Sequence, residues 1–212
     1  IHGQTPPGPG GGFGNSSAAA MLAQVSVAPV LAVSMTGSMI LFMMTRAKKG
    51  ASRKQRAKTY GLQMGYAVLL SLLVACADLF ISMVVGGMNL PIERLLPYLW
   101  LCSFSLMTLM LGLMNLAFPL GALGMFAIMG TMSCAYIAPE MLPSVWLDWV
   151  YPWSPAHFLV EGVRRVVFLG ASPVNTCSAP LVVVALCGLA CGVAAMLLAK
   201  KEPTAASLLA EA

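Results

Sequence analysis

The sequence predicts an all-α integral membrane protein: five transmembrane helices, with two short outer interfacial helices between the fourth and fifth. Three observations carry that expectation. Hydrophobic residues make up 59% of the 212 and charged residues 9%, whereas soluble domains carry roughly 25% charged residues. So few charges do not cover a water-facing surface, and lipid must solvate most of it. Charge-free apolar runs recur along the chain, each long enough to cross ~30 Å of hydrocarbon. Finally, seven of the twelve basic residues fall in the thirteen positions from Arg46 to Lys58, RAKKGASRKQRAK, with no acidic residue among them. Apolar runs flank this segment on both sides, which is the pattern of a short cytoplasmic loop between two spans.

Residues 1–20 are rich in Gly and Pro and lack the charged-then-apolar pattern of a signal peptide. They read as a flexible extracytoplasmic linker that continues from something preceding it in a longer protein. A transmembrane domain then occupies residues 21–200. Its first span, about 21–45, has no charge, and Pro29 lies near its start, where a missing N–H costs least. The second span covers about 59–85, with Asp78 as its single charge, and residues 86–91 turn the chain on the far side.

The next charge-free run, Leu95–Pro139, is 45 residues long. As one helix it would measure about 67 Å, twice a bilayer, so it must fold back. Asn115, Pro119 and Gly121 mark the break. Spans of about 95–118 and 120–138 result, with little or no loop between them.

From Pro139 to Pro173 charges and prolines return. Two short helices are expected within residues 144–170, the first capped by Ser144 and the second begun by Ser154-Pro155 and ended by Gly170 and Pro173. On the second, Leu159, Val160, Val163, Val166 and Val167 share one face. Glu161, Arg164 and Arg165 share the other, with Glu161 placed to pair with Arg165 at i+4. Such a helix lies at a membrane interface or dips into it. The last span, about 179–199, ends at Lys200-Lys201, and residues 201–212 form a cytoplasmic tail.

Five spans with the basic loop inside put the N-terminus outside and the C-terminus in the cytoplasm, as expected of a multi-pass protein of the cell membrane. Nine of the twelve Lys/Arg then lie inside, and Trp100, Trp146, Trp149 and Trp153 fall near the outer interface. The net charge of +5 is concentrated in the loop and at Lys200-Lys201, so anionic lipid headgroups explain it and no nucleic-acid partner is implied. Five of the six cysteines sit inside apolar runs as small hydrophobes; only Cys177 is expected at an exposed position. Cys187 and Cys191 are i,i+4 but lack partner ligands, so no metal or cofactor is expected. No span carries a nucleophile–base pair, HExxH or paired aspartates, which argues against an intramembrane enzyme.

The segment from Tyr136 to Gly170 resembles the signature region before the last helix of ABC-2-type membrane proteins, most closely their YhgE/Pip branch. The matching elements are Pro139-Glu140-Met141-Leu142-Pro143, Tyr151-Pro152-Trp153-Ser154-Pro155 and Glu161-Gly162-Val163-Arg164-Arg165. The resemblance is sequence-specific over about 35 residues and extends as topology over roughly residues 20–200. It implies that this chain supplies spans two to six of a six-span protein, with the Gly/Pro-rich start as the exit from an extracytoplasmic domain. It also implies a permease-like subunit that works as a homo- or heterodimer. GxxxxGK[ST] is absent from the sequence, so a separate polypeptide would hydrolyse ATP. The competing expectation within the same branch is a non-transporting anchor for an outer receptor or secretion component.

The candidate functional residues follow. Arg46, Lys48, Lys49, Arg53, Lys54, Arg56 and Lys58 would contact a cytoplasmic ATPase, or else act only as a retention signal and lipid anchor. Asp78 is either an intramembrane polar site or a carboxylate high in the outer leaflet that reaches water or Arg94. Asn115 would satisfy backbone groups freed at the Pro119 break. Glu161, Arg164 and Arg165 would gate an outer vestibule or simply keep one helix face wet. His157 is a candidate proton carrier or a structural histidine. The GxxxG pairs Gly61/Gly65 and Gly188/Gly192 would serve packing within one subunit or a dimer contact.

Overall fold

The computed structural model describes residues 15–46, 52–84, 90–132 and 143–198, and among these every regular element is helical. The helices are α1 (Asn15–Thr45), α2 (Arg53–Val84), α3 (Ile92–Leu116), α4 (Phe118–Thr131), α5 (Pro155–Phe168) and α6 (Ser178–Leu198). Four of them, α1, α2, α3 and α6, are long and apolar enough to cross a membrane. Helix α4 has 14 residues, a length of about 21 Å. The remainder of the expected fourth span, residues 133–138, lies outside the described residues.

Helix α3 starts at Ile92, three residues before its expected apolar run, and α1 and α2 start earlier still relative to theirs. Helix α1 begins at Asn15, inside the expected linker, because Ala18–Ala20 are strong helix formers and nothing between them and Met21 breaks the helix. Helix α2 begins at Arg53, so the second half of the expected basic loop is helix. Ser52 explains this: its Oγ accepts the Gln55 N–H at 3.3 Å and its carbonyl accepts the Arg56 N–H. The Ser-x-x-Gln spacing is a helix-start pattern, and Arg, Lys, Gln and Ala propagate it. Charge conceals helix propensity when apolar runs alone define a span.

The break after α3 is a single residue. Ala117 is extended at φ −157°, ψ 130° and serves both as the end of α3 and the start of α4, with Pro119 in the first turn of α4. Its missing N–H costs nothing there.

Helix α3 is the centre of the bundle: it packs against α6, α2, α1, α4 and α5. Its side chains Leu99, Leu106, Met107, Met110 and Leu111 are fully buried. Polar residues are buried too, among them Ser34, Ser38, Gln63, Ser71, Ser103 and Asp78, while Leu69, Leu73, Phe80 and Leu198 face outward. This distribution is what a hydrocarbon solvent selects, since lipid rewards outward apolar surface and polar groups find partners only between helices. Ser34 and Ser103 hydroxyls meet at 2.7 Å between α1 and α3, and Ser38 donates to the Ser34 carbonyl at 2.6 Å. The Trp100 indole N–H turns inward to Ser71 Oγ at 3.1 Å, rather than outward to an interfacial belt.

The GxxxG pairs part company. Gly188 and Gly192 of α6 press on the bundle: a Cβ on Gly188 would meet the Leu109 backbone N at 2.5 Å, and one on Gly192 would overlap the Tyr60 ring. Gly61 and Gly65 on α2 face open space, with nothing within 4 Å.

Between Pro143 and Ser154 the backbone is irregular. Trp146–Val150 forms a π-helical turn and Tyr151–Trp153 a 3-10 turn. Pro143, not Ser144, starts this stretch, because its carbonyl accepts the N–H groups of Trp146 and Leu147.

Candidate functional site

At the end where α1 stops, α2 starts and α3 breaks, three polar side chains converge. Asn115 Nδ2 donates to Gln63 Oε1 at 2.7 Å, and Gln63 Nε2 donates to Thr45 Oγ1 at 3.0 Å. Asn115 Nδ2 also reaches the Leu111 carbonyl at 2.7 Å, and Thr45 Oγ1 donates to the Leu41 carbonyl. Asn115 therefore ties three helices together one turn before the break. It does not serve the groups freed there, where Ala117 N–H bonds Leu113 O instead. Gln63 was not among the expected site residues. Its signal was present, as a lone amide in a long apolar run, but its role depends on Asn115, 52 positions away.

A cavity of about 30 Å³ adjoins this knot, lined by Arg56, Thr59, Tyr60, Asn115, Gly192 and Met196 among others. It is about the size that holds one water. The basic segment borders the same end. Arg46 lies 5.9 Å over the Phe42 ring, Arg53 Nη2 donates to the Leu197 carbonyl at the end of α6 at 3.4 Å, and Lys54 and Lys58 are exposed. A cation on the last carbonyls of a helix is favourably placed against its dipole. Lys48 and Lys49 lie outside the described residues.

Asp78 lies further along α2. Asp78 does not pair with Arg94: Asp78 is 4% exposed, its Oδ2 has no hydrogen-bond partner among the described residues, and Arg94 donates to the Gly170 carbonyl. The helical register turns Asp78 to the same side as Gln63, Ser71 and Ser82, into the bundle.

At the opposite end, α5 lays Leu159, Val160, Val163 and Val166 against α1 and α3. Gly162 lies so close to Tyr98 that a Cβ would overlap its hydroxyl, which donates to the Phe158 carbonyl at 2.7 Å. Gly170 takes φ 62°, where glycine is at ease, and the chain folds back so that Ala171 N–H reaches Arg165 O at 3.1 Å.

On the outward face Arg165 Nε donates to Glu161 Oε1 at 3.0 Å and Nη1 to Thr176 Oγ1 at 2.7 Å. Hydrogen bonding to Glu161 holds the Arg165 guanidinium above its ordinary pKa. Arg164 is exposed. The pair is solvated, so it adds little to stability. It fastens α5 to the turn before α6 and faces no vestibule among the described residues.

Cys177 is buried rather than exposed. An Asx turn, with Cys177 N–H on Asn175 Oδ1 at 2.8 Å, tucks it under α5. Burial raises its pKa, so the thiol stays protonated and unreactive.

His157 packs on Tyr151 with ring centroids 3.8 Å apart. Burial lowers its pKa, with Glu161 opposing and Arg165 reinforcing the shift. A histidine held neutral in the folded state takes up protons more readily when unfolded, so its contribution falls as pH drops through about 6.5. The melting temperature should therefore fall between pH 7.5 and pH 5.5, and His157→Phe should flatten that slope. An unchanged slope in the variant would show that other groups control it.

The Ser154 side chain makes no cap bond, although Ser154 sits at the first position before α5; only its carbonyl is engaged, by His157 N–H at 3.2 Å. Beside it opens a cleft of about 350 Å³ between α3, α4 and the π-helical turn.

No protein-family model matches this sequence, and neither a curated protein nor a solved structure matches it.

Proposed function

We propose that this chain is a membrane-spanning, permease-like subunit of an ABC-2-type export system of the YhgE/Pip kind, energised by a separate ATPase. The observation that carries the reading is α5. A short helix, preceded by a proline-rich irregular turn and followed directly by the last span, packs its apolar face on α1 and α3. The resemblance at Tyr136–Gly170 leads one to expect that order, with two turns, π-helical and 3-10, standing where the first of its two short helices was expected.

In this reading the chain crosses the cell membrane five times, with α4 and the residues after it as the fourth crossing. The N-terminus is outside, and the Arg46–Lys58 segment lies in the cytoplasm. The charged first turns of α2 present Arg53, Lys54 and Lys58 to a partner. The core of one chain is closed by Leu106, Met107, Met110 and Leu111, so a path for substrate lies between two copies. The open face of α2 at Gly61 and Gly65 suits such a contact, because small residues let helix backbones approach.

Purification of the protein in mild detergent tests this. The expected result is two copies of the chain together with an ATP-hydrolysing subunit. Replacing Arg53, Lys54 and Lys58 by Gln should reduce ATPase recovery at least ten-fold without loss of the membrane chain. Recovery of a monomer that binds no ATPase under any condition would refute the proposal and favour the anchor of an outer receptor or secretion component.

A further inference from the structure

We propose that Asp78 is a proton-binding site: it holds a proton while α2 is packed on α1 and α3, and releases it when that interface opens to water. The inference needs only the membrane-spanning bundle and is independent of whether the chain exports anything.

The face of α2 that carries Asp78 also carries Gln63, Ser71 and Ser82, all of them buried. Gln63 meets Thr45 of α1 and Asn115 of α3, and Ser71 meets the Trp100 indole of α3. That face is therefore the one packed on α1 and α3. Asp78 is six residues before Val84, the last described residue of α2. At 1.5 Å per residue the carboxyl lies about 9 Å inside that end, within the apolar length of the helix.

Other polar groups along this seam have partners. Ser34 and Ser103 bond each other, Ser38 bonds the Ser34 carbonyl, and Gln63 joins Thr45 to Asn115. Asp78 differs, because its Oδ2 is buried with no hydrogen-bond partner among the described residues. A counter-charge is missing as well. Helices α1 and α6 contain no Asp, Glu, Lys, Arg or His; the titratable groups of α6 are Cys187 and Cys191. Helix α3 has Glu93 and Arg94, both exposed in its first turn, and Arg94 is taken by the Gly170 carbonyl. Tyr98 and Cys102 of α3 are buried, and the Tyr98 hydroxyl donates to the Phe158 carbonyl.

An ionised carboxylate in these surroundings would be a bare charge, so the neutral acid is the form that the packed bundle admits. An aspartate in water ionises near pH 4. Opening the interface to water therefore turns the neutral acid into a carboxylate, and its proton passes to the water. While the closed form is neutral and the open form ionised, each pH unit multiplies the ratio of open to closed about ten-fold. An asparagine at this position would carry no such dependence. Melting in detergent leaves α2 in an apolar micelle, where the same proton stays bound, so the melting temperature is blind to it.

The test uses the full chain in lipid nanodiscs. At pH 6 its infrared spectrum should contain the carbonyl band of a neutral carboxylic acid, which Asp78→Asn removes and Asp78→Glu restores at a displaced position. Sodium or potassium ions should leave that band unchanged. Hydrogen–deuterium exchange over Val74–Ser82 then reads the opening, as the ratio of the wild-type rate to the Asp78→Asn rate at the same pH. That ratio cancels the pH dependence of the exchange chemistry and of His157, which both proteins share. It should rise about ten-fold from pH 5 to pH 6. If Asp78→Asn does not assemble, Asp78→Ser takes its place in both measurements. The proposal is overturned if the band is absent or survives the loss of the carboxyl, or if sodium or potassium abolishes it, which would make Asp78 a cation ligand. It is equally overturned if the exchange ratio does not change with pH, which would make the neutral acid a fixture of the packing.

Discussion

Gly188→Leu should cost the fold about 3 kcal/mol, the upper part of the range for overpacking a tight contact. At this chain length that lowers the melting temperature by about 10 °C. The reason is the kind of atom that the new side chain meets. A Cβ at Gly188 would meet the Leu109 N and the Thr108 C at 2.5 Å, and backbone cannot rotate away as a leucine tip would. Gly112 faces Gly188 across the same seam, where a Cβ would overlap the Gly188 carbonyl. Helices α3 and α6 would have to separate, and their packing is the most extensive among the described helices. The control is Gly65→Leu, at a glycine of the same motif with nothing within 4 Å. In a detergent harsh enough to separate the copies it should shift stability by no more than about 0.5 kcal/mol. Thermal unfolding of both variants in detergent decides the matter. Equal losses would mean that the α3–α6 seam is not where the constraint lies.

The second large effect is expected at the Asn115–Gln63–Thr45 knot. Gln63→Leu takes from the half-buried Asn115 amide one of its two acceptors and from Thr45 Oγ1 its donor, while Asn115 keeps the Leu111 carbonyl and Thr45 the Leu41 carbonyl. Each lost hydrogen bond is worth about 0.5–1.5 kcal/mol, so the pair should cost about 1–3 kcal/mol. Asn115→Leu should cost a similar amount for the same reason. The double variant removes both amides and should be less destabilised than the sum of the two, by about 1 kcal/mol of coupling. Equilibrium unfolding of the four proteins of the cycle measures that coupling. Strict additivity would show that the two amides act separately and that the knot does not hold the three helices together.

Which segments are apolar helices was legible from composition alone, because lipid as a solvent leaves few alternatives: a charge-free run of span length must be helical to satisfy its own backbone. The fold-back near Pro119 was legible for a similar reason, since proline and chain length together forbid one continuous helix. Local chemistry misled at two places. Arg53–Lys58 reads as loop by its charge, yet its residues are helix formers started by Ser52. Ser154 has the residue type and position of a cap, yet its hydroxyl makes no cap bond.

Gly61/Gly65 and Gly188/Gly192 are the same word in the sequence, and nothing local tells them apart. Only the rotation of α2 and α6 within the bundle places one pair against backbone and the other against open space. The same holds for Asp78 and Asn115. Their presence in apolar runs was evident, but whether Asp78 would reach Arg94, and that Asn115 would find Gln63 52 positions away, depended on how helices distant in sequence are set side by side. Periodicity and composition report what one segment prefers as it meets its solvent. The partner of a buried polar group is a property of two segments, and it exists only once α1, α2 and α3 have packed.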